Sequence, residues 1–327
     1  MALNKFKTNP PKSINPITFP PLFPKNKKAV FFTLLTISLL SLFILSYSIY
    51  STVERQESIS KRIKTMNNFV FLVEEDLQRQ LYISGFRIIF LIENEIVNTG
   101  TYISNVNTSF QEGFYNGTIS GVPNEIMNDV TFQGIIIKIN EKASKINIHV
   151  NLSNPEIEIT QKDPWNVKIN FSANLFITDN EDLANWNKTY TKEINIPVKG
   201  FADPLYIVNT NSLISNIINQ TPYTTFVSGT NVANLTSHLN NPYYKASTSA
   251  PSFLDRLEGK TTPNTYGIES LVYIPDLPSF AIKSKSVVDH IYFSTSSPST
   301  NQIQGMPSWF LLDVDHQDDY GVEGIIV

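Results

Sequence analysis

The sequence predicts an α+β fold: an N-terminal transmembrane helix continuing into a long amphipathic helix, then an antiparallel β-sheet or sandwich domain with a mixed C-terminal region. Three patterns predict it. Residues 29–49 (AVFFTLLTISLLSLFILSYSI) carry no charge, Gly or Pro, and about 20 such residues cross a ~30 Å hydrocarbon core as a helix. Residues 51–98 repeat apolar side chains at three- and four-residue steps, the helical period. Residues 146–198 alternate apolar with polar, the period of a strand with one wet face.

In chain order, residues 1–28 read as a disordered basic cytoplasmic tail. Pro10, Pro11, Pro16, Pro20, Pro21 and Pro24 forbid a continuous helix. Lys5, Lys7, Lys12, Lys25, Lys27 and Lys28 stand there without one acid, and an excess of Lys and Arg marks the cytoplasmic flank. Of 25 basic residues these six precede the span, which leaves 19 against 29 acids and a net −10 beyond it. The expected topology is a single-pass protein of the cell membrane, N-terminus cytoplasmic and C-terminal domain extracellular. An acidic outer domain argues against nucleic acid as a partner, which calls for a basic patch.

Residues 29–49, the transmembrane helix, differ from a secretory signal peptide. The apolar run of such a peptide covers roughly 7–15 residues and ends at a small-residue cleavage site; Ser46-Tyr47-Ser48 imitates that site poorly. The hydroxyls of Thr33, Thr36, Ser38, Ser41, Ser46 and Ser48 are expected to bond back to their own helix. The lipid bilayer is the first expected partner.

Residues 50–98 are expected to form a helical stalk. Ile59, Ile63, Met66, Val70, Val73, Leu77 and Leu81 trace a seam close to a heptad, with Glu54, Arg55, Lys61, Arg62, Glu74, Glu75 and Arg79 on the other faces. The seam suggests a protein partner or self-association through the stalk, with burial on the chain's own domain as the alternative. Exposure is expected up to about Met66 and burial beyond it. After Gly85 the helix is apolar nearly all round (Phe86, Ile88, Ile89, Phe90, Leu91 and Ile92), as a packed helix is.

Residues 99–208 are expected to be a β-rich extracellular domain. The polar, Gly-spaced stretch 99–122 reads as loop and short turns, and 123–145 as a helix opening at Pro123-Asn124-Glu125. Strand alternation follows at Ile146, Ile148, Val150 and Leu152, at Ile157 and Ile159, at Val167 through Ile177, and at Ile194, Ile196 and Val198. Asn154-Pro155 and Asp163-Pro164 are expected to be the turns between runs. Residues 209–327 form a mixed α/β region, with short helices at 213–218 and 253–257, a strand or helix at 286–293 and a strand at 309–314.

The chemical signals are few. With no Cys the chain has neither disulfides nor thiolate ligands. Asp313, Asp315, Asp318 and Asp319, with His316 among them, form an acidic cluster. Carboxylates at such spacing gather a hard cation such as calcium, and the same run also suits a solvated acidic turn. No other cofactor is indicated. Seven N-x-S/T sequons, at Asn107, Asn116, Asn151, Asn170, Asn187, Asn219 and Asn234, all follow the apolar span and are glycosylation candidates. By alternation Asn151 and Asn170 fall on wet strand faces, whereas Asn187 falls in a loop. No G-x-S-x-G elbow, Gly-rich phosphate loop or H-E-x-x-H is present. A Ser-His-Asp hydrolase would have to use His290 or His316, and Asp289-His290, if on a strand, point to opposite faces. The expectation is not an enzyme but a membrane-anchored cell-envelope protein presenting its outer domain for structural or adhesive interactions.

The segments APSFLDRLEG (Ala250 to Gly259), YGIESL (Tyr266 to Leu271), SVVDHIYFS (Ser286 to Ser294) and GMPSWFLL (Gly305 to Leu312), with the anchor, resemble a group of uncharacterised single-pass surface proteins of archaea. The resemblance implies an envelope location and no particular chemistry. Lys27-Lys28-Ala29 before the apolar helix resembles the class III signal peptide of type IV pilin-like proteins. It implies processing after Lys28 and entry of the helix into a filament, with Thr33 where many mature pilins carry glutamate.

Overall fold

A computed structural model describes residues 27–181 and 183–327, without the side chains of Lys27 and Ala29. The expected tail therefore lies outside the described residues except at its last two positions. The chain divides into two compact units, residues 1–62 and 63–327, and one helix, α1 (Lys27–Thr99), runs through the boundary.

In the first unit α1 is exposed on every side. This is one helix near the N-terminus long and apolar enough to cross a membrane. Its hydroxyls turn inward to the backbone as expected: Thr33, Thr36 and Ser41 donate to the carbonyls of Val30, Phe32 and Ile37 at 2.8–2.9 Å.

The second unit is α+β. After α1 come α2 (Val106–Asn116), a two-residue hairpin β1 (Thr118–Ile119) and β2 (Val122–Pro123), and α3 (Phe132–Ser144). Three long strands follow, β3 (Ile148–Asp163), β4 (Asn166–Asp179) and β5 (Asn185–Pro197), antiparallel in the order β3-β4-β5. This sheet answers the choice between sheet and sandwich: helices cover its inner face. Val167, Ile169, Phe171, Ala173, Leu175 and Ile177 of β4 are buried in one cluster with Met66, Val70, Val73, Leu77, Leu81, Ile88 and Ile92 of α1. The seam from Met66 onward is thus core, and the change from wet to buried falls where the sequence places it. Gly85 marks a close approach of α1 to the sheet, since a Cβ there would lie 2.0 Å from Ile169 Cδ1.

Four local expectations are corrected. The helix does not open at Pro123-Asn124-Glu125: Pro123 ends β2, Glu125–Met127 is a 3₁₀ turn, and α3 starts at Phe132, where Thr131 caps it by accepting from Gly134 N–H at 3.1 Å. The stretch 99–122 is not all loop: Val106, Phe110, Gly113 and Phe114 form a buried helical stripe. Asn105 caps its start by accepting from the Thr108 N–H at 2.8 Å, and Gly117 ends it in the left-handed conformation. Asn154-Pro155 is not a turn. The register steps from Ser153↔Asn174 to Glu156↔Ser172, a β-bulge within one strand, with Asn154 at φ 50°. Residues 213–218 are not helical; Ile217 instead bridges Ala202 in antiparallel fashion.

The free edge of β3 is masked by side chains rather than by a fourth strand. Asn140 both donates to and accepts from the Val150 backbone, Asn107 accepts from Ile159 N–H, and Gln111 donates to Ile157 O.

The remainder is built of short pieces. They are α4 (Pro204–Asn209), α5 (Ala233–Asn240), α6 (Phe253–Leu257), α7 (Asp289–Tyr292), the pair β6 (Tyr244–Ala246) and β7 (Ile268–Ser270), and the pair β8 (Thr300–Gln302) and β9 (Leu311–Asp313). α6 stands where the sequence places it, the 286–293 segment contains α7, and the 309–314 segment contains β9. These pieces share a second apolar cluster around Leu235, Val272, Tyr292, Phe310 and Tyr320.

Candidate functional site: a buried ionic centre

The short elements of the C-terminal region converge on charged side chains that water does not reach. α6 opens with a capping box, in which Ser252 accepts from Asp255 N–H and Asp255 accepts from Ser252 N–H. That fixes the helical turn and sends Arg256 inward, fully buried. Its guanidinium donates to Asp203 Oδ2 at 2.5 Å, to Asp289 Oδ2 at 2.9 Å and to Ile268 O. Asp203 caps α4 by accepting from Leu205 N–H at 2.9 Å, and also accepts from Tyr244 OH at 2.8 Å. Asp289 accepts from the Ser270 N–H and hydroxyl at 3.0 and 2.8 Å.

The two carboxylates share one guanidinium unequally. Burial raises the pKa of both; for Asp289, Arg256 and His290 together outweigh burial and hold it low, whereas Asp203 stays raised by burial and by its neighbour Asp289.

Beside this cluster lies a second one. In the β6–β7 ladder Lys245 stands opposite Glu269, and its Nζ is 3.3 Å from Glu269 Oε1 and 4.4 Å above the Tyr320 ring. Gly267 lets β7 pass close to the 247–250 backbone, where a Cβ would meet Ala250 O at 2.0 Å. Glu269 is wholly buried, and neither carboxylate oxygen has a hydrogen bond of good geometry. Its Oε2 is 3.4 Å from His316 Nε2. The other nitrogen of His316, Nδ1, is 2.6 Å from Asp313 Oδ1, and Asp313 Oδ2 accepts from Ser286 Oγ at 2.5 Å. The ring of His290 packs edge-on against that of His316 with centroids 5.5 Å apart. One donor atom each from Glu269, His290 and His316 lie within 4.8 Å of one another, a convergence found once among the described residues.

The charges support each other. Burial lowers the His316 pKa, yet the hydrogen bond to Asp313 and the charges of Asp313 and Glu269 outweigh it and lift it to about 10. Burial raises the Glu269 pKa, but His316 and Lys245 outweigh it and bring it to about 2.

A Ser-His-Asp arrangement is present in outline, because Ser249 Oγ is 3.1 Å from His316 Nε2. Two facts disqualify it as a nucleophile couple. A general base must be neutral near the working pH, and two flanking carboxylates keep this imidazole cationic. The ring is also only 3 % exposed. Among the other histidines, His149 is exposed, and burial pushes His238 down to about 4. Two surface grooves of about 820 and 750 Å³ lie elsewhere, along β3 and between α1 and α3.

The four aspartates of the sequence cluster do not converge. Asp313 is buried against His316 and Ser286; Asp315, Asp318 and Asp319 are exposed, with Asp319 3.4 Å from Lys245 Nζ. Of the sequons, Asn116, Asn151, Asn187 and Asn234 are exposed, while Asn107, Asn170 and Asn219 are half-buried. Asn187 lies on β5 rather than in a loop.

No protein-family model, curated protein or solved structure matches this chain. The site rests on its own geometry. Glu269, Arg256 and Asp203 carry no motif. Their one sequence signal is a charge set among apolar neighbours, as Glu269 is by Ile268 and Leu271.

Proposed function

We propose that the chain is a single-pass membrane protein of the cell envelope, with its N-terminus cytoplasmic, that presents residues 63–327 outside the membrane for structural or adhesive contacts. One observation carries the reading: from Phe31 to Tyr50 the apolar side chains of α1 are exposed on every face. Phe31, Phe32, Leu39, Phe43, Leu45 and Tyr47 are each between 50 % and 75 % exposed. Removing such side chains from water is worth ~1.5–3 kcal/mol each. A protein partner covers one stripe of a helix, whereas a bilayer surrounds it. The six lysines before the span and the net acidity beyond it support the orientation, and the resemblance to archaeal surface proteins supports the location.

Alkaline extraction of membranes, followed by sequencing of the mature N-terminus, tests the proposal. The full-length chain is expected in the pellet; recovery of full-length chain in the soluble fraction overturns it. A mature start at Ala29 would favour the pilin-like reading, in which the helix enters a filament after processing behind Lys28.

A further inference from the structure

We propose that Glu269, His290 and His316 bind one divalent first-row transition ion, of which zinc is the representative, and that this ion clamps β7, α7 and the 314–316 turn together. Two imidazoles and a carboxylate form a borderline-soft donor set suited to zinc-type ions, whereas calcium takes 6–8 oxygens.

The spacing fits. Bonds of ~2.0–2.2 Å in a tetrahedron give ligand-to-ligand edges of roughly 3.3–3.6 Å, and His316 Nε2 stands 3.4 Å from Glu269 Oε2. The His290 donor lies within 4.8 Å of both, a small side-chain adjustment away.

A second, independent observation points to a ligand. Both Glu269 oxygens are buried without a hydrogen bond of good geometry, their charged neighbours being Lys245 Nζ at 3.3 Å and His316 Nε2 at 3.4 Å. Buried polar atoms are otherwise almost always satisfied. Behind the donors stand orienting carboxylates. Asp313 fixes Nδ1 of His316 and so aims Nε2 at Glu269, while Asp289, anchored by Arg256 and Ser270, flanks His290. Carboxylates behind metal-bound histidines set ring orientation in this way.

The need for a clamp is physical. Elements of three to five residues such as β7, α6 and α7 hold few backbone bonds of their own, and a chain without Cys has no disulfide to tie them.

The test uses the full chain in detergent, stripped of metal with a chelator and checked for folding by circular dichroism. Zinc is expected to bind one to one and to raise Tm by roughly 5–10 °C at about 100-fold excess over Kd. Cobalt(II) is expected to give visible bands of a tetrahedral nitrogen–oxygen site, and calcium to leave Tm unchanged. Asp313→Asn should weaken zinc about 10–100-fold. His290→Gln, which breaks no strong ion pair, should abolish one-to-one binding, whereas His149→Gln should not alter it. The proposal is overturned if the folded, metal-free chain binds neither zinc nor cobalt, or if one-to-one binding survives in either His290→Gln or Glu269→Gln.

Discussion

Replacing Arg256 by Met is the sharpest perturbation of the ionic centre. Met keeps much of the aliphatic volume and removes the guanidinium that holds Asp203, Asp289 and the Ile268 carbonyl. Both carboxylates are fully buried, so neither can exchange its lost partner for water. Breaking a buried pair from one side costs ~3–5 kcal/mol, against a whole-domain stability of about 5–15 kcal/mol. For a unit of this size each kcal/mol moves Tm by roughly 2–4 °C, so a fall of roughly 6–20 °C at pH 7 is expected. Near-ultraviolet circular dichroism of the full chain in detergent reads it.

The stranded carboxylates can relieve themselves by protonation, so the deficit should narrow as pH falls from 7 towards 5. Adding Asp203→Asn and Asp289→Asn to Arg256→Met should recover part of the loss, because no unpaired charge then remains buried. A fall below about 2 °C, or a deficit that does not change with pH, would refute the claim that charge pairing rather than packing makes this residue matter.

Two further outcomes follow from α1. At Gly85 a new Cβ would lie 2.0 Å from Ile169 Cδ1 and 2.8 Å from Ile196 Cδ1. Gly85→Val should therefore destabilise by ~1–3 kcal/mol through overpacking, and an unchanged denaturation midpoint would contradict the close helix–sheet approach. Burial raises the pKa of Glu93 to about 7 against the hydrogen bond that it accepts from Ala202 N–H. The folded state thus prefers this carboxyl protonated. Its contribution is full below the unfolded value near 4.5 and is lost as pH rises through about 7. Glu93→Gln should match wild type at pH 4.5 and exceed it at pH 8, by ~1–2 kcal/mol after allowing for partial exposure. Equal pH profiles of Tm for the two chains would exclude this.

What the sequence determined by itself is whatever a local period can encode. The apolar run at 29–49 and the alternation of Val167 through Ile177 are read directly, because helix and strand place side chains at fixed steps relative to one wet side. The change from wet to buried near Met66 also follows from local pattern. α2 was hidden because polar Asn107, Thr108, Gln111 and Glu112 fill the other faces of a stripe only four residues wide. The Asn154-Pro155 pair reads as a turn locally. Only β4, pairing with the chain on both sides of it, makes it a bulge.

The tertiary structure alone decided the ionic centre. Asp203, Arg256, Glu269, Asp289 and His316 are scattered over more than a hundred residues, on elements too short to show a period. Each is an ordinary polar residue until the chain path brings an opposite charge to it in the absence of water. The energy of such a group is set by its final neighbours and its desolvation, and neither is written in the spacing of the residues around it.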